Sequence, residues 1–112
     1  MSMEERRERR LFVQYPIVFL GNLGVGEGKL INLSMGGAAI ESRAVVQRGT
    51  VLTLRVHPPS FPQPIAVDQA EVTWTAGDDF GVQFLSIGTR EQARLGQLVA
   101  GLLEGHRRSA VA

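Results

Sequence analysis

Two short groups of residues in this chain have the types and spacing to do chemistry. The first lies in the opening ten residues, where Arg6, Arg7, Arg9 and Arg10 fall within five positions and Arg6 and Arg10 are spaced Arg-x-x-x-Arg. A guanidinium is planar and carries a fork of donors. It therefore matches a phosphate or the O6 and N7 edge of guanine, and its plane can stack on a base. The second is the stretch 31–40, Ile-Asn-Leu-Ser-Met-Gly-Gly-Ala-Ala-Ile. Asn32 and Ser34 supply short donors and acceptors that favour a turn over a continued ladder. Gly36 and Gly37 open positive φ to the backbone and let a ligand approach it closely. Alone, the second group reads as an ordinary hairpin and the first as a solvated arm. Together they suit a ligand that carries both guanine rings and phosphates.

The elements that must hold these groups follow from the hydrophobic period. Leu11, Val13, Tyr15, Ile17 and Phe19 alternate, which predicts a half-buried strand over 11–20, with an edge or a bulge at Pro16 because proline cannot donate to a ladder. Residues 21–28 hold four glycines and read as a loop. A strand over 29–33 then enters the polar turn 34–37 and leaves as a strand over 38–42. Leu52, Leu54 and Val56 share a face of a strand over 51–56, and residues 57–64 form a loop with four prolines. The strand over 65–75 puts Ala70, Val72 and Trp74 on one face. Its first half has the opposite phase, which predicts a bulge near Asp68. Gly77-Asp78-Asp79 reads as a turn into a strand over 80–85 with Phe80, Val82 and Phe84 inward.

The period then changes to that of a helix. Thr89 and Gln92 have capping-box spacing, and Leu95, Leu98, Val99, Leu102 and Leu103 form one stripe. Gly96 and Gly101 each cost about 1 kcal/mol relative to alanine, so this helix depends on packing. Gly105 is the expected stop, and His106, Arg107 and Arg108 suit a helix C-terminus. The expected fold is all-β in the main: a six-stranded antiparallel barrel with a C-terminal α-helix. Its organisation is a basic arm over 1–10, the barrel and helix over 11–105, and a tail over 106–112.

Composition limits the functions available. At 112 residues and 44% hydrophobic, the chain suits one folded domain. A net charge of +1 does not suit broad binding to a nucleic-acid polymer. The absence of cysteine rules out disulfides, thiol nucleophiles and thiolate metal sites. The apolar run over 11–20 is broken by Gln14 and Pro16 and is too short to span a bilayer, so the expectation is a soluble, cytoplasmic protein without membrane insertion. Catalysis is not expected. His57 and His106 pair with no serine, Ser34 lacks a nucleophile-elbow context, and Asp78 and Asp79 are turn residues. No spacing suggests a metal site. Trp74 reads as a core residue, and a single-stranded RNA or DNA binder would want more exposed aromatics.

The run Glu5-Arg6-Arg7-Glu8-Arg9-Arg10-Leu11-Phe12-Val13, followed by Asn32-Leu33-Ser34-Met35-Gly36-Gly37, resembles the paired signature of PilZ domains. The likeness continues through Gly49-Thr50, Val72-Thr73-Trp74 and Phe80-Gly81-Val82-Gln83-Phe84. What it implies is a barrel that binds the bacterial second messenger cyclic di-GMP. By that resemblance, Arg6 and Arg10 would hold guanine and phosphate, with Arg7 a further phosphate contact and Arg9 a weaker one. Asn32 and Ser34 would read a guanine edge and fix the turn, and Gly36 and Gly37 would let the ligand lie against the backbone. The resemblance also implies an effector protein as partner, a monomeric or homodimeric state and a regulatory output such as motility or biofilm control. The ligand would pin the arm to the turn and so create or hide a partner surface. Many members carry Asp where this chain has Asn32. An amide offers one acceptor and one donor where a carboxylate offers two charged acceptors, a difference on the order of 1 kcal/mol. The alternative reading is a PilZ-like adaptor that binds protein but no nucleotide.

Overall fold

The computed structural model describes residues 10–22 and 24–111, with side chains described up to residue 105. Six antiparallel strands close into a barrel: β1 (Leu11–Gly21), β2 (Gly24–Leu33), β3 (Gly37–Glu41), β4 (Val51–Val56), β5 (Ile65–Ala76) and β6 (Asp79–Ser86). Around the barrel the order is β1-β2-β3-β6-β5-β4, with β4 returning to β1. One helix, α1 (Thr89–Val111), follows β6. The expected strand count, closure and terminal helix are all present.

The interior is filled by the residues that alternation assigned to it. Ile17, Phe19, Leu30, Leu54, Val67, Val72, Phe80 and Val82 are buried in one cluster, and the rings of Phe19 and Phe80 meet edge to face at 5.4 Å. Leu95, Leu98 and Val99 add one face of α1 to that cluster. The start of α1 is tied to the β4–β5 loop and to β5 by polar bonds. Arg94 donates from Nη1 to the Pro64 carbonyl at 2.8 Å and to Glu91 Oε1 at 3.0 Å, and from Nη2 to the Gln63 carbonyl at 2.6 Å. Glu91 Oε1 also accepts the Ala66 amide at 3.1 Å.

Several expectations change. Residues 24–28 are strand, not loop: β1 and β2 pair to the tip of their hairpin, Gly21 opposite Gly24. Glycine is required inside this strand because a Cβ on Gly26 would overlap the Phe19 ring, its cross-strand partner. Pro16 lies at no edge, since the barrel is closed. It follows an irregularity between Phe12 and Tyr15, sits just outside the β1–β4 ladder, and its carbonyl accepts the His57 amide at 2.9 Å. The capping position of α1 is Gly88, whose carbonyl accepts the Gln92 amide at 2.8 Å, so Thr89 opens the helix rather than capping it. The helix also runs past Gly105 to Val111; a glycine in an ordinary helical conformation weakens a helix without ending it.

The bulge expected near Asp68 is present. Leu54 pairs with Val67 and Leu52 with Ala70, leaving Asp68 and Gln69 opposite Thr53. A second irregularity lies between Val72 and Trp74. It moves Trp74 off the inward face that the period had assigned to it, and Trp74 is 40% exposed.

Candidate ligand-binding site

β1 begins beside the end of β2, with Leu11 opposite Leu33 and Phe12 opposite Asn32. This register brings Arg10, the residue just ahead of β1, against the polar turn. Arg10 Nη1 donates to Asn32 Oδ1 at 3.2 Å, across 22 residues of sequence. Among the described residues this bond joins the two chemical groups seen in the sequence. Arg6, Arg7 and Arg9 lie outside the described residues.

Asn32 is turned outward by a break in β2. Leu30 and Leu33 are both buried although three residues apart, a spacing that a regular strand would send to opposite faces. The register of β2 shifts at Ile31 against both β1 and β3, and the extra residue resets the phase. Both leucines therefore point inward, and Asn32 is half-buried at the surface beside the exposed Arg10.

The turn itself is closed by Ser34. Its amide donates to the Gly37 carbonyl at 2.9 Å, and its Oγ accepts the amides of Gly36 and Gly37 at 3.3 and 3.2 Å. Ser34 is only 1% exposed. The Gly36 carbonyl accepts the Phe84 amide at 2.9 Å, which ties the turn to β6. The glycine amides are thus engaged within the turn. The need for glycine at Gly37 is steric, because a Cβ there would overlap the Val82 carbonyl of β6. Among the described residues the positive-φ glycines are Gly24, Gly49 and Gly77, so the conformational reason expected for Gly36 and Gly37 does not apply.

The sheet register extends the site around the outside of the barrel. Phe12 pairs with Asn32, Asn32 with Ala39, Ala39 with Gly81, and Gly81 with Trp74. The inward neighbours Ala38, Ile40, Phe80 and Val82 place this row on the outer face. Phe12, 77% exposed, and Trp74, 40% exposed, stand at its two ends. The indole of Trp74 lies over Gly81, filling the space that a side chain there would need. Asn32 and Gly81 are two strand spacings apart, about 10 Å. Sequence reasoning missed Trp74 as an outward residue because the irregularity at Thr73 depends on pairing with β6. The resemblance had included Trp74, but the period alone placed it inside.

Clefts also lie at the other end of the barrel, away from Arg10 and Asn32. One of about 450 Å³, between the β1–β2 hairpin and residues 44–47, is lined by Phe19, Val25, Val45, Leu52 and neighbouring glycines. No group of three or more His, Cys, Asp or Glu residues that could hold a metal occurs among the described residues. No described helix is long and apolar enough to cross a membrane.

Comparison with known proteins agrees with this fold. The PilZ domain family model matches residues 4–101. The chain belongs to the PilZ domain family. Of solved structures, the PilZ domain of CeSA from a cellulose-synthesising bacterium superposes with a TM-score of 0.65 at 19% identity, covering 84% of this chain and 97% of that one. YcgR from Escherichia coli, solved in complex with c-di-GMP, gives a TM-score of 0.79 at 18% identity, covering 94% of this chain and 49% of that one. This chain thus spans about half of YcgR. MotI/DgrA, the inhibitor of motility from Bacillus subtilis, gives 0.69 at 18% identity, covering 94% of this chain and 51% of that one. No curated protein matches the sequence. Within the PilZ fold, the two signature motifs of this chain meet at Arg10 and Asn32.

Proposed function

We propose that this PilZ domain is a receptor for cyclic di-GMP, and that the ligand draws the N-terminal arginines and the Asn32 turn together. The observation that carries this reading is the bond from Arg10 to Asn32. It puts a fully charged fork of donors next to an outward amide on one corner of the barrel. Arg10 then contacts phosphate and a guanine edge, and Asn32 contacts a base. Arg6 and Arg7 add phosphate contacts from the preceding residues. Ser34, Gly36 and Gly37 keep the turn in shape, with Gly37 also holding β3 close to β6. Trp74 offers its exposed face for stacking, an interaction worth about 1–3 kcal/mol per base.

Closing the arm over the ligand changes the surface presented at this corner, and an effector protein reads that change. The role is that of a binding module and not an enzyme. Titration calorimetry with cyclic di-GMP tests the reading. Saturable heat that excess GTP does not displace supports it, and flat heats at high ligand concentration would overturn it.

A further inference from the structure

Resting on the cyclic dinucleotide reading, the geometry points to Asn32 as a purine reader that accepts adenine as well as guanine. We infer that the site takes a hybrid cyclic GMP–AMP dinucleotide alongside cyclic di-GMP.

A carboxylate at this position would present acceptors only. Guanine matches it with the paired N1–H and N2–H donors. Adenine, which shows one donor and one acceptor on that edge, would set its N1 lone pair against the charge. An amide carries one acceptor and one donor group. Turned one way it donates to guanine O6 and accepts from N1–H. Turned the other way it accepts from adenine N6–H and donates to N7 or N1.

The structure supplies a further reason. In the free protein Asn32 Oδ1 accepts from Arg10, a bond that does not use the Nδ2 donors, and every purine offers ring-nitrogen or carbonyl acceptors to such donors. Stacking on Trp74 or Phe12 does not discriminate between bases, because both purines have a π-face. On the outer face the nearest carboxylates along β3 and β6, Glu41 and Asp79, stand two residues beyond Ala39 and Gly81, in the next outward row. On the turn side, the next outward row runs Gly37, Gln83 and Glu71, with its carboxylate two strands away on β5. With Arg10 taking the guanine that both dinucleotides carry, the choice of the second base falls to the Asn32 amide.

The test is calorimetry of the native chain and of Asn32→Asp with cyclic di-GMP and with the hybrid dinucleotide. The native ratio of the two dissociation constants is expected to lie within about tenfold. In Asn32→Asp it is expected to rise against the hybrid by roughly 5- to 100-fold, the usual worth of a paired base contact. A native chain that binds cyclic di-GMP but rejects the hybrid by more than a hundredfold overturns the inference and leaves the receptor reading standing. So does an Asn32→Asp ratio equal to the native one. A native chain that binds neither dinucleotide overturns both.

Discussion

The indole of Trp74 occupies the space above Gly81, its partner across the β5–β6 ladder, and leaves its other side exposed on the outer face of the barrel. It is the only tryptophan in the chain, so its fluorescence reports on that face alone. Cyclic di-GMP is expected to shift or quench the emission with the same midpoint as the calorimetric titration. Trp74→Ala is expected to weaken binding by about 1–3 kcal/mol, the value of one stacked base, with Trp74→Phe keeping part of it. Unchanged affinity in Trp74→Ala would remove the indole from the site.

Arg10→Ala removes both the described partner of Asn32 and a charged fork from the same corner. The expected cost is roughly 1.5–3 kcal/mol, a ten- to hundred-fold rise in Kd for cyclic di-GMP. The unfolding midpoint should hardly move, because Arg10 is exposed and its bond lies at the surface. Calorimetry paired with a urea melt separates these two effects.

Gly37→Ala places a methyl against the Val82 carbonyl, and backbone rather than a flexible side chain must yield. A destabilisation of about 1–3 kcal/mol is expected from overpacking, read as a lower urea midpoint. Because the same strand leads out of the proposed ligand turn, weaker cyclic di-GMP binding should accompany it.

Arg94 holds the start of α1 to the carbonyls of Gln63 and Pro64, and its guanidinium lies 5.5 Å from the centre of the Phe61 ring. Arg94→Ala should lower stability by about 1.5–3 kcal/mol through lost charge-assisted bonds. Arg94 bonds to residues 63 and 64, whereas the proposed ligand corner is centred on Arg10 and Asn32 where β1 meets β2, so the affinity of the folded fraction should stay native. A lost affinity at unchanged stability would contradict that separation.

Burial raises the phenol of Tyr15 above its ordinary pKa of 10.0. The folded state therefore holds the proton more tightly than the unfolded chain does. Its contribution to stability is complete below pH 10 and is lost as the pH climbs from 10 through the raised folded value. Tyr15 is the only tyrosine, so the phenolate absorbance of the folded protein should titrate later than that of the urea-unfolded chain. Urea midpoints above pH 10 should fall less in Tyr15→Phe than in the native protein.

The strand period of 2 and the helical stripe were enough to give the barrel, its six strands and the terminal helix. Each buried Leu, Ile, Val or Phe on those faces must leave water whichever neighbour it meets. The two motifs were likewise legible as chemistry, because donor forks and short amides keep their character in any fold. Three things depended on tertiary pairing. Gly24–Gly28 became strand because Phe19 packs across Gly26, and no local propensity carries that information. Trp74 came to the outer face, and Asn32 came out between two buried leucines, because register breaks at Thr73 and Ile31 exist only where one strand is laid against another. The meeting of Arg10 with Asn32 follows from the pairing of β1 with β2, a contact across 22 residues set by the register of that hairpin and by its break between Phe12 and Tyr15.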